Sequence, residues 1–332
     1  MKRIFSAFFA LTIIASLLCR NVAPTKAEAA KQLSIVTTIF PEYDWVRQIL
    51  GDKFSDSDVT MLLDNGVDLH SYQPTVDDIV KIATCDLFIY VGGESDSWVE
   101  DALKHSVNKD MKVINLLEVL GDSVKAEETV EGMQETAHDH DEDDEDDDHE
   151  EHEEEKDEHV WLSLKNAKAL CDAISKTLQE LDPDSKDIYA ANAEAYEKQL
   201  SALDEKYQEA VDNAAYKTLL FGDRFPFRYL TDDYGLRYYA AFSGCSAESE
   251  ASFDTIHFLA KKLDELELPC ILTIEGAQHK IAQTIVENTT KKNQSVLALD
   301  SMQSTTSKDV AQGTTYLSVM EKNLDVLTDA LG

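Results

Sequence analysis

Short apolar runs alternate along the chain with longer segments whose apolar residues recur every three or four positions. The runs read as strands and the periodic segments as amphipathic helices. In the first third, strands are predicted at Leu33 to Ile39, Asp58 to Leu63, Leu87 to Val91 and Lys112 to Leu117. Helices fall between them at Glu42 to Leu50, Thr75 to Thr84 and Asp96 to His105. Two long helical patterns follow, Leu162 to Leu181 and Asp184 to about Ala214, parted by Asp182-Pro183. The second carries no Gly or Pro, and about thirty residues at ~1.5 Å each give a rod of roughly 45 Å. The alternation then resumes. Strands are expected at Lys217 to Phe221, Leu236 to Phe242, Cys270 to Glu275 and Ser295 to Asp300. Helices are expected at Pro226 to Asp233, Ser252 to Leu266, His279 to Asn288 and Thr314 to Leu331.

Strand and helix alternating at short intervals argue for right-handed βαβ units and parallel sheets. The predicted architecture is therefore α/β, two small doubly wound parallel-sheet lobes joined by one long rigid helix, with a cleft between them. The boundaries expected are 30–181 for the first lobe, 182–214 for the linking helix and 215–332 for the second lobe. The halves share this pattern without a convincing sequence repeat.

The N-terminus breaks the pattern. Lys2 and Arg3 precede an apolar run from Ile4 to Leu18, too short to span a membrane and suited to a signal peptide. Ala27-Glu28-Ala29 is a small-x-small cleavage site, which assigns 1–29 to the leader. Cys19 raises lipidation as an alternative, although Leu18 stands where a small residue is expected. Export permits disulfides, but Cys85, Cys171, Cys245 and Cys270 show no CxxC pair and no dense framework, so no bridge is assigned.

A second break lies at 136–158. Between Asp139 and Glu158 sixteen carboxylates stand against one lysine, a local charge of −15 within a net charge of −35. Such a run repels itself and buries no apolar surface, so an extended, mobile loop is expected. Alone it would be a solubilising linker. It also holds His138, His140, His149 and His152 and ends at His159-Val160-Trp161, where polarity switches to a packed segment. Imidazole with carboxylate binds borderline divalent cations, zinc above all. Weak, multi-site capture is therefore expected along the loop, and a fixed ligand at its end. A chain this acidic would be repelled by nucleic-acid phosphates.

In open parallel sheets, ligands bind beyond the carboxyl ends of the strands. That rule selects His70 in DNGVDLHSYQP, His159, Asp223 in FGDRFPF and His279 in EGAQHK, two from each half. Three or four such groups suit a tetrahedral zinc site. Each also has a structural reading: His70 as a surface loop residue, Asp223 as the partner of Arg224, His279 as an exposed first-turn residue. His105 and His257 lie within amphipathic helices and read as structural or solvent-facing. Catalysis finds no support. No HExxH occurs, the HEEH from His149 to His152 has the wrong spacing, and no serine nucleophile elbow appears.

The segment GVDLHSYQPTVDDI, followed far downstream by an acidic His-rich loop ending in HVWL, resembles the zinc- and manganese-specific solute-binding proteins of ABC importers (ZnuA/AdcA type). The resemblance covers essentially the whole chain after the leader. It implies two lobes joined by the long helix, modest closure on binding, and His70 and His159 as ligands of the first lobe. It implies capture of Zn²⁺ and delivery to permease subunits served by a cytoplasmic ATPase, by a monomer with no chemical step. The second half departs from the family pattern. The usual ligand position, five residues before Tyr229, holds Arg224, and guanidinium does not ligate zinc. Either Asp223 supplies the ligand or three protein ligands share the ion with a water, and Arg224 would pair with Glu248 or Glu250. The fourth family ligand stands four residues after a strand-ending Glu, where this chain has His279 after Glu275. The alternatives are a manganese or iron carrier of the same family and a stand-alone extracytoplasmic metal buffer.

Overall fold

A computed structural model describes residues 32–134, 155–246, 250–276 and 279–332. The leader, Cys19 and His138, His140, His149 and His152 lie outside the described residues.

The first half runs β1 (Ser34–Thr37), α1 (Phe40–Leu50), β2 (Asp58–Met61), α2 (Val76–Thr84), β3 (Leu87–Tyr90), α3 (Trp98–Lys104), β4 (Lys112–Asn115) and α4 (Leu116–Leu120). All pairings are parallel and the order is β2-β1-β3-β4. The last predicted strand ends two residues early. Asn115 Oδ1 accepts a hydrogen bond from Glu118 N at 3.1 Å, and this cap turns Leu116 and Leu117 into a helix.

After α5 (Leu164–Leu181) and α6 (Lys186–Asn213) come β5 (Thr218–Phe225), α7 (Arg228–Tyr234), β6 (Arg237–Ser243), α8 (Phe253–Glu265), β7 (Cys270–Ile274), α9 (Lys280–Glu287), β8 (Ser295–Leu299), α10 (Ser307–Ala311) and α11 (Tyr316–Leu331). The order β6-β5-β7-β8, again parallel, repeats the first sheet's winding. The short α10, not expected from the sequence, is set by a capping box between Thr306 and Asp309.

Both sheets are covered on two faces, as parallel sheets require. Ile35, Phe88 and Ile89 in the first and Phe221, Ala240 and Leu272 in the second are essentially inaccessible. The long helix α6 is what joins them. Its buried residues Tyr189, Ala193, Tyr196, Leu200, Leu203, Tyr207 and Val211 recur every three or four positions, one continuous stripe. That stripe packs on α1 and α5 of the first half and α11 of the second. One hydrophobic core consequently runs through both halves, from Ile35 to Leu219 and Leu272, while a second, smaller one around Leu220, Phe242 and Leu259 lies within the second half, and Leu33 to Gly332 form one compact unit.

Buried hydrogen bonds reinforce the join. Trp161 Nε1 donates to Ser301 O at 2.9 Å, and Tyr316 Oη donates to Trp161 O at 2.7 Å. The segment after the acidic run is thus fixed against the second half from two sides.

Candidate metal centre

His70 stands in a 3-10 turn, Leu69–Ser71, beyond β2. Asp68 starts the turn, its Oδ1 accepting from His70 N at 3.0 Å. The ring's Nδ1 lies 2.7 Å from Ser95 Oγ and 3.4 Å from Glu158 Oε2. Ser95 follows Gly92-Gly93 at the end of β3. Gly93 has φ +84°, and a Cβ there would stand 2.3 Å from Glu158 Oε1. Glycine is required for both reasons, and its absent side chain admits Glu158 beneath His70.

His159 is fully buried. Its backbone N donates to Asp157 Oδ1 at 2.9 Å, and its Nδ1 lies 3.0 Å from the same oxygen. An ionised carboxylate only accepts, so Nδ1 carries the proton and Nε2 presents a lone pair. Asp157 is itself fixed: its N donates to Lys125 O at 2.9 Å and its O accepts from Tyr229 Oη at 2.8 Å. An isolated antiparallel bridge pairs Ala126 with Lys156 beside it. The tail of the acidic run, expected to be a mobile loop as far as Glu158, is instead fixed: Glu155 to Asp157 are paired to the chain at 125–127, and Asp157 and Glu158 are buried.

The two rings meet through their free nitrogens, His70 Nε2 and His159 Nε2 being 3.2 Å apart. Two nitrogens bound to one tetrahedral zinc at about 2.0–2.1 Å would be about 3.3–3.4 Å apart. Burial, and then the neighbouring His159, push the His70 pKa down to about 3, so its imidazole is neutral and ready to ligate.

A third ligating atom joins them. Cys245 Sγ and the histidine nitrogens all lie within 4.8 Å of one another, the one such group among the described residues. Cys245 follows β6, and its N donates to Glu127 Oε1 at 2.9 Å. His70 and Cys245, though not the buried His159, line a cavity of about 250 Å³ together with Glu94, Ser95, Glu127 and Glu158 among others. Burial raises the pKa values of the Glu158 carboxyl and the Cys245 thiol.

Of the residues the sequence singled out, the structure brings together His70 and His159. Asp223 and His279 stand outside this group. Asp223 lies within β5 rather than in a loop after it, because the strand runs on to Phe225 across a register irregularity between Phe221 and Arg224. Its Oδ1 accepts from Arg224 N at 2.9 Å. Burial raises its pKa, and His279, just before α9, acts on it electrostatically. Arg224 does not turn to Glu250. Its Nη2 meets Asp68 Oδ2 at 2.7 Å, a partner on the other half and two residues from His70. Glu248, the other expected partner, lies outside the described residues. His105 and His257 are exposed. Cys245 was missed although the carboxyl-end rule covers it, since it falls just past β6 as His70 falls past β2.

Known proteins resemble this chain along nearly its whole described length. The profile of the family described as zinc-uptake complex component A, periplasmic, matches residues 35–330. The zinc-binding lipoprotein AdcA of Streptococcus pneumoniae is 31% identical over 327 residues, covering 98% of this chain and 60% of its own length. The chain thus spans less than two thirds of that relative. The high-affinity zinc uptake system protein ZnuA of Bacillus subtilis is 31% identical over 316 residues, covering 94% of this chain and 92% of its own. The Zn(II)-bound ZnuA-like domain of S. pneumoniae AdcA superposes with a TM-score of 0.68 at 29% identity, covering 91% of this chain and 99% of that one. With a fold wound twice in the same order and two histidines facing each other between its halves, this chain belongs to the zinc-uptake component A family of ABC-transporter solute-binding proteins.

Proposed function

We propose that this protein is an extracytoplasmic solute-binding protein that captures Zn²⁺ between its two halves and passes it to a membrane permease with a cytoplasmic ATPase. It performs no chemical step on its cargo. The observation that carries this reading is the 3.2 Å approach of His70 Nε2 and His159 Nε2, each ring fixed through its Nδ1 side. Oriented imidazoles lose little freedom on binding an ion, which favours affinity. Two nitrogens in a buried site favour zinc over manganese, which suits oxygen ligands better.

The acidic segment 135–154 is followed directly by Glu155 and Lys156, the latter paired with Ala126. With its histidines it serves as an auxiliary, weak capture segment that raises the local zinc concentration. The leader directs export, ending at the Ala27-Glu28-Ala29 site or at a lipidated Cys19. In this reading the working form is a monomer.

The test is calorimetric titration of Zn²⁺ and Mn²⁺ into the metal-stripped chain lacking 138–152, beside the same chain with His70→Ala. One tight zinc ion, lost with His70→Ala, supports the reading. Tight manganese with weak zinc would move it to a manganese carrier, and no tight ion would leave only a loop-based metal buffer.

A further inference from the structure

Resting on the proposed zinc capture, we infer that Cys245 is the third protein ligand of the ion, replacing the nitrogen that Arg224 cannot supply. The site would then be His70 Nε2, His159 Nε2 and Cys245 Sγ, with the fourth position open into the 250 Å³ cavity.

Four observations support this. First, position: Cys245 is brought to the histidines by the turn after β6, and Gly244 makes the approach possible. A Cβ at Gly244 would stand 3.0 Å from His159 Cε1 and 2.9 Å from Phe225 O, so a larger residue would push this turn off the ring. Second, Arg224 is already committed. Its guanidinium pairs with Asp68 at 2.7 Å and reaches Ser246 O at 3.5 Å, so its side chain braces the turn that carries Cys245. Third, Glu158 backs the site: it is buried, and its Oε2 lies 3.4 Å from His70 Nδ1, on the side of the ring away from Nε2, so it supports the ring that presents Nε2 to an ion. Fourth, Cys245 is anchored, its N donating to Glu127 Oε1 at 2.9 Å.

The other cysteines among the described residues do not compete. Cys85, Cys171 and Cys270 are buried elsewhere, and none belongs to the group. All four are unbridged. The chemistry is balanced simply. The thiol loses its proton to solvent as the Zn–S bond forms, because a coordinating thiol is deprotonated outright. A thiolate also sharpens the choice of cargo, since soft sulfur selects zinc or cadmium over manganese.

The experiment loads one equivalent of Co²⁺ into the reduced full chain and records the near-ultraviolet thiolate-to-cobalt charge-transfer band. Cys245→Ser and His70→Ala are examined beside it, with Zn²⁺ competition giving affinities. The expected result is a charge-transfer band in the unaltered chain that vanishes in Cys245→Ser. Zinc affinity should fall at least about a hundredfold in that variant, more than outer-shell changes typically cause. A chain that lacks the band but loses its tight site with His70→Ala would overturn the cysteine ligand and leave zinc capture standing. A band persisting in Cys245→Ser would overturn it too, by placing another thiol on the metal. A tight ion indifferent to His70→Ala would overturn both readings. The unaltered chain's spectrum needs no variant to fold, so the inference stays testable if Cys245→Ser is unstable.

Discussion

The two halves are wound alike and furnished differently. Each has four parallel strands in the same order, yet the first half presents two imidazoles with their orientations fixed from behind. The second presents a guanidinium, a thiol and, farther off, a carboxylate and a histidine. The lesson is that topology sets where a site forms, while side chains at the strand ends decide what it holds. In the proposed reading the first half supplies a prepared pair of ligands, and the second contributes a brace, Arg224 to Asp68, and the sulfur that would complete the centre.

The largest effect expected from disturbing this asymmetry is on the first half. His159→Ala should lower zinc affinity at least about a hundredfold, measured by competition with a chromophoric chelator, whereas His279→Ala should change it far less. Equal losses would make the halves equivalent donors and break the comparison. Next comes the support behind the ring. Asp157→Ala should weaken zinc by about 10–100-fold without touching a ligand, as loss of a ligand's hydrogen-bond partner typically does.

A smaller effect is expected at the brace. Arg224→Met removes a cation close to His70 and leaves Asp68 without its partner. Zinc affinity should fall severalfold as the turn that carries Cys245 loses its brace, and thermal unfolding should show a loss of stability of about 1–3 kcal/mol. A rise in affinity would show that Arg224 acts mainly through its charge beside His70. Smallest is the acid dependence of the metal-free chain. His70 titrates near 6.5 when unfolded and at about 3 when folded. Between those values the unfolded chain binds the extra proton, so His70 costs stability progressively as pH falls from about 6.5 toward 3. His70→Gln should flatten that part of the stability profile measured by denaturant unfolding, and an unchanged slope would show the imidazole is not held neutral.

Much of this was legible in the chain. Short apolar runs between segments with a period of three to four place all eight strands among the described residues, because buried parallel strands are short apolar runs between amphipathic helices. The Pro183 break and the Gly-free pattern after it give α6 to within a few residues. His70 and His159 stand out because a loop motif and an abrupt polarity change mark them. What was not legible depends on three-dimensional neighbours. Extension of β5 through Asp223 and Arg224 rests on pairing with β6 across an irregularity, which no local pattern announces. Arg224 meets Asp68, 156 residues away, rather than an acid nearby in sequence. Asp157 and Glu158 look like the tail of a solvated acidic run, yet they are buried because the run's end is paired at Ala126 and Lys156. Cys245 carries no motif and becomes visible only once β6 delivers it to the histidines.

The most direct test of the central claim is an anomalous-difference map from crystals of the zinc-loaded protein. The account predicts one strong peak between His70 and His159, about 2.0–2.1 Å from each Nε2. A strong peak at Asp223 and His279, with the two imidazoles still facing each other unbridged, would contradict it.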